Sequence, residues 1–298
     1  MVKRLIYRIA VGFVAAFAVL TFAACSSDDP TGPEEQAPAL PSAATMTMEL
    51  SFFDQALEGQ TALGKEARDP TTLVAVPGKT NFMNAALRVY LLHVAFCEAI
   101  VPPVSAFALA IHSVPQLQSD GWWLWTYIYV QDTAEYAIFL YGKNAPDRTL
   151  WRMEVSTADP EVPLDHFVWF DGEALKFESS GYWQFYEPDV TPPALAAAAS
   201  VQTPGKPSIR MDWLNLTGNI HRLSVLNNNP DSPDEGDLIA YFASPDMSRI
   251  DFTDSAAPDV IYNITWYADG SGSLQVPDYN NGEKACWDTD QFDAACPE

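Results

Sequence analysis

The residues of this chain that could take part in bond chemistry are few and scattered. Its four histidines, His93, His112, His166 and His221, lie far apart, and none stands in the H-E-x-x-H setting that would turn two imidazoles toward one zinc ion. The sequence also lacks a G-x-S-x-G nucleophile elbow, a phosphate-cradling G-x-x-x-x-G-K and a dinucleotide fingerprint. The familiar hydrolase and nucleotide sites are therefore excluded, and no catalytic residue, metal ligand or cofactor is assigned. A hydrolase of another kind would need a histidine and a carboxylate brought within hydrogen-bond reach in a cleft. Two acidic stretches, NNNPDSPDEGD at 227–237 and DTDQFDAAC at 288–296, offer the hard oxygens that Ca²⁺ prefers. Neither has EF-hand spacing, and in so acidic a chain such clusters read as solvated turns.

Cysteine chemistry is more informative. Lys3, Arg4 and Arg8 precede an uncharged apolar run, Ile9 to Phe22, that ends in the small residues Ala23 and Ala24. That order is the signature of a secretory signal, and the run falls short of the roughly 20 apolar residues that span a bilayer. With Cys25 directly after it, the segment resembles the lipobox of bacterial lipoproteins, although Phe22 stands where the commonest lipobox has leucine. The resemblance implies that the Cys25 sulfur is diacylated and that its freed amino group is often acylated too. One acyl chain holds a membrane weakly, whereas two or three anchor it stably. Ser26, in place of the aspartate that favours inner-membrane retention in lipoproteins, implies an outer-membrane address. The Asp28-Asp29 pair is similar to the acidic export signal of some surface lipoproteins.

The stretch SSDDPTGPEEQAPALPSAA that follows has almost nothing to bury and reads as a disordered tether. The expected organisation is thus a signal peptide at 1–24, a tether at 25–45 and a single domain at 46–298. In an exported protein, Cys286 and Cys296, with nine residues between them, are expected to form a disulfide that staples the C-terminal loop. Cys97, in an apolar helical stretch, reads as a buried thiol, with pairing to one of the other two left open.

Charge narrows the partners. Residues 1–24 hold three of the sixteen Lys and Arg and no Asp or Glu, which leaves 13 bases against 39 acids and a formal net charge of −26. Such a field repels nucleic acid and anionic headgroups, so the plausible partners besides an anchoring membrane are neutral or cationic ligands, divalent metals or proteins.

The elements that would position any site read as helices followed by strands. Leu50, Phe53 and Leu57 give a helical period within 46–68, and a longer helix is expected from about Asn81 to Ile100, with Thr80 or Asn81 as its cap and Asn81, Asn84 and Arg88 on one face. Pro102-Pro103 interrupts it, and a second short helix is expected from Val104 to Ser113. From Gly121 the period becomes 2. Trp123, Trp125, Tyr127 and Tyr129 fall on one face of a strand, with Trp122, Leu124, Ile128 and Val130 on the other, so both faces call for burial. Later strands alternate cleanly, as in Trp151, Met153 and Val155 against Arg152, Glu154 and Ser156. About twelve such runs, most of them separated by short turns, require antiparallel neighbours. The expected fold is mainly β: a large curved antiparallel meander, half-barrel or barrel, at 121–298, with N-terminal helices from 46–113 packed on its concave face.

This pattern, with its PPVSAF helix and its W-x-W, F-x-WF-x-G and G-x-W-x-F strands, is similar to that of envelope lipoproteins with an open half-barrel over helices, the lipoprotein-carrier fold. The functional expectation is a membrane-anchored lipoprotein that binds a hydrophobic or amphipathic ligand in its curved sheet. Trp123, Trp125, Tyr127 and Tyr129 are the candidate pocket lining. The alternatives are a surface adhesion or assembly lipoprotein without a pocket, and a convergent hydrolase.

Overall fold

The computed structural model describes residues 36–53, 76–131, 134–158, 163–176, 179–188 and 205–297. The expected signal peptide, Cys25 and the first part of the expected tether lie outside these residues. So do residues 54–75 and most of the Pro- and Ala-rich stretch between Glu187 and Lys206.

Fourteen strands follow one another as neighbours in a single antiparallel meander. They are β1 (Gln116–Leu117), β2 (Trp123–Gln131), β3 (Ala134–Asn144), β4 (Arg148–Thr157), β5 (Leu164–Leu175), β6 (Ser180–Glu187), β7 (Lys206–Leu216), β8 (Ile220–Asn227), β9 (Leu238–Ala243), β10 (Met247–Thr253), β11 (Tyr262–Tyr267), β12 (Gly272–Gln275), β13 (Ala285–Trp287) and β14 (Asp293–Ala294). Most connections are too short for anything but hairpins. Between β7 and β8, Gly218 and Asn219 take φ of 83° and 58°, the left-handed backbone that a tight two-stranded turn requires. The first and last strands do not pair, so the sheet is not closed into a barrel. The count exceeds the expected twelve because the two-residue β1 and β14 are too short to leave a periodic signal.

One face of the sheet carries the core. Register places Trp123, Gly142, Trp151, Gly172 and Trp183 in one row across β2 to β6. Each glycine leaves room for the indoles beside it: a Cβ on Gly142 would meet Trp151 at 2.7 Å, and one on Gly172 would meet Trp183 at 2.6 Å. Over this row lies α2 (Val101–Leu109). Its Phe107 ring packs against Trp151, Phe170 and Trp183 at centroid distances of 6.3, 5.9 and 5.8 Å. Preceding it, α1 (Thr80–Ala99) reaches the other end of the sheet, where Phe82 meets Trp287 at 5.7 Å.

Several local readings change. The second helix begins at Val101, not Val104, because Pro102 and Pro103 fit within its first turn, where no N–H is needed. Of the helix expected within 46–68, residues 54–68 lie outside the described ones, and the described part holds a 3₁₀ turn, Ser51–Phe53, after another at Ala43–Met46. Ordered packing starts earlier than the tether composition implied: Ala37, Leu40 and Ala43 lie against the core, and Thr45 and Met46 are buried. Trp183 Nε1 donates to Thr45 Oγ1 at 3.3 Å, which ties this strap to the sheet. On β2, only one face is covered, since Ile128 and Val130 remain more than half exposed. No helix among the described residues is long and apolar enough to cross a membrane.

Candidate functional site

Where α1 crosses β10 to β12, the two layers leave an open cleft of about 420 Å³. Leu91 and Leu92 form its helical wall. Ile250, Phe252, Tyr262 and Ile264 form its floor, with Val276 and Pro277 beyond the end of β12. The residues alternate along β10 and β11, so a period-2 pattern supplies the apolar floor.

Two charges stand at this cleft. Arg88 Nη2 donates to Asp278 Oδ2 at 2.8 Å, and the two side chains are 19% and 71% exposed. One turn earlier on α1, Asn84 holds the other end of the guanidinium, accepting from Nη1 through its main-chain oxygen at 3.1 Å and its Oδ1 at 3.0 Å. The guanidinium also lies over the Tyr279 ring, 5.8 Å from its centroid. Tyr279 donates to Asn81 Oδ1 at 2.6 Å; burial first, then the Asp293 carboxylate, pushes its hydroxyl up, against the pull of Arg88.

This network ends on the C-terminal hairpin. Asn81 N donates to Asp293 Oδ1 and Asn81 Nδ2 to the Cys286 carbonyl, both at 2.7 Å. Asp293 therefore satisfies a first-turn N–H of α1, in place of the local cap expected at Thr80 or Asn81. Cys286 and Cys296 are joined in a disulfide across the same hairpin. Cys97 lies on α1, within a stretch whose side chains fall outside the described ones.

The aromatic strand stands apart from the cleft. Trp125 is buried, tilted against Trp151 at 5.7 Å, and Trp123, Tyr127 and Tyr129 pack on the core. The Tyr127 hydroxyl donates to the Ala106 carbonyl of α2 at 2.8 Å, and burial raises its pKa well above the ordinary tyrosine value. A smaller cavity of about 180 Å³ lies between Met46–Leu50 and α2, and a depression of about 720 Å³ lies on the solvent face among Asp212, Arg222, Arg249 and Asp251. None of the four aromatic side chains lines any of these three spaces.

Among the histidines whose side chains are described, one meets a carboxylate. His166 Nδ1 lies 3.0 Å from Glu154 Oε2, and Arg152 Nε lies 3.1 Å from Glu154 Oε1 without hydrogen-bond alignment. Glu154, expected on the wet face of β4, is buried because a bulge between β4 and β5 folds His166 over it, with His166 at φ 51°. Phe139 stacks on the imidazole at 4.4 Å. This pair lies on the solvent side of the sheet and lines none of the three spaces above. Among the described residues no three His, Cys, Asp or Glu side chains converge as a metal site.

Comparison with protein-family models, curated proteins and solved structures found no match.

The polar face Asn81, Asn84 and Arg88 on an otherwise apolar helix was the sequence signal for this cleft. What it could not show was the partner, since Asp278 lies 190 residues from Arg88.

Proposed function

We propose that this chain is a bacterial envelope lipoprotein, held at the outer membrane through acylated Cys25, that binds a hydrophobic or amphipathic ligand. Its sheet would curve as a half-barrel with α1 and α2 on the concave face, and the ligand would lie in the cleft between α1 and β10–β12. The observation that carries the reading is that cleft: apolar walls from both layers, of a volume within the range of small-molecule sites, with an ion pair beside it. The lipobox resemblance at Cys25 supports the anchor. Ligand binding would bury apolar surface against Leu91, Leu92, Phe252 and Tyr262, and movement of the helices would admit it.

Native mass spectrometry of the full chain, taken from membranes in mild detergent and compared with its denatured mass, tests both parts. The expected result is covalent acyl mass that stays with Cys25 and a second mass that is lost on denaturation. A chain with no covalent acyl mass refutes the anchor. A chain with no releasable mass, and with a thermal transition unmoved by amphipaths, refutes the pocket and leaves the surface-assembly reading in its place.

A further inference from the structure

We infer that the cleft beside α1 selects a single-chain amphipath with a zwitterionic headgroup, an acid ester and a primary ammonium. This deepens the ligand-binding reading above and rests on it. Arg88 is four-fifths buried, and Asn84 fixes its Nη1, so the guanidinium is aimed before any ligand arrives. Its Nη2 is satisfied by Asp278, whose side chain is 71% exposed. A pair with one partner so open to water contributes little, so exchanging it costs little.

Each class of headgroup meets this pair differently. A neutral headgroup leaves it closed and gains nothing from it. An anion on Arg88 would release the Asp278 carboxylate beside its own charge and would enter against a chain of formal net charge −23. A cation on Asp278 would leave Arg88 facing it. A zwitterion replaces both halves of the pair at once: its phosphate accepts from Arg88 Nη2 and its ammonium donates to Asp278, with no net charge added. The apolar wall of Leu91, Leu92 and Phe252 then takes the chain.

The test is isothermal titration of the full-length chain with four probes of equal chain length below their micellar concentrations. They are an acyl lysophosphatidylethanolamine, a monoacylglycerol, a fatty acid and an alkyltrimethylammonium. The zwitterion is expected to bind about tenfold tighter than the monoacylglycerol, the gain from two charge-assisted bonds less one exposed pair. Asp278→Asn and Arg88→Gln should each abolish the tenfold preference for the zwitterion over the monoacylglycerol, with a cooperative urea transition of each variant showing that it folds. Equal binding of zwitterion and monoacylglycerol, tightest binding of the fatty acid or the ammonium, or indifference to Asp278→Asn would overturn the headgroup assignment and leave the cleft standing. Failure of all four probes to bind would overturn both.

Discussion

Replacing Gly172 with alanine tests the row of indoles and glycines that underlies the core. A Cβ at this position would lie 2.2 Å from the Tyr182 carbonyl oxygen and 2.6 Å from the Trp183 ring. Non-bonded heavy atoms settle at roughly 3.5 Å, so both must yield, each by about 1 Å. The ring could tilt, but it is fully buried between Phe107 and Phe170 at 5.8 and 5.4 Å. The carbonyl belongs to β6 inside the ladder and has no rotamer to adopt. Overpacking costs about 1–3 kcal/mol, and a main-chain obstacle places Gly172→Ala at the upper end, about 3 kcal/mol. Urea unfolding followed by tryptophan emission measures it. Gly218→Ala is the control, because nothing lies within 4 Å and only its φ of 83° opposes a side chain, at about 1–2 kcal/mol. In the double variant Gly172→Ala with Trp183→Leu, removing the indole should not restore stability, since the carbonyl contact persists. A Gly172→Ala protein within about 1 kcal/mol of the parent, or one rescued by Trp183→Leu, would refute the close-approach argument.

Two further outcomes are expected. Burial lowers the proton affinity of His221 below its ordinary value near 6.5, the backbone of Thr47 opposing it weakly, so the unfolded chain binds more protons there at acid pH. The contribution of His221 is therefore flat above that value and turns destabilising as pH falls through it. The drop in urea midpoint between neutral and mildly acid buffer should shrink in His221→Gln, and an unchanged drop would remove His221 as a source. Replacing Cys286 and Cys296 with serine opens a loop of sequence separation 10, worth about 2.7 kcal/mol of denatured-state entropy. Because Asn81 bonds to Asp293 and Cys286 on that hairpin, amide exchange should quicken first in the opening turn of α1. Exchange there as slow as in the parent would show that the helix is held by other means.

Most of the sheet was visible in the residues. Strands such as β4 and β11 announce themselves because a half-buried strand must alternate, and the hairpin order follows from connections too short for crossovers. The edges β1 and β14 left no trace, since two residues have no period. Residues 37–45 were read as tether because alanine, proline and serine compose linkers and tight straps alike; Thr45, against the core at 2% exposure, is what tells them apart. The burial of Glu154 depends on a register shift that a regular period cannot anticipate. The cleft was half legible. Asn84 and Arg88 mark a polar stripe on α1, but its floor comes from β10 and β11, whose place beneath the helix follows from the course of the whole meander.

The neighbour-to-neighbour strand order gives the molecule a direction in time. Each strand finds its partner in the segment made just before it, so the sheet can assemble in the order in which the chain is made, at low cost in loop closure. The contacts of the first helix break this rule: the N–H of Asn81, for one, waits for a carboxylate 212 residues further on. Until the last hairpin arrives, the first helix lacks that bond, and the Asp278 half of the Arg88 pair is missing for almost as long. A chain halted before Ala285 would own nearly all of this sheet and still lack the bonds that Cys286 and Asp293 make to Asn81, which makes that hairpin the latch of the first helix.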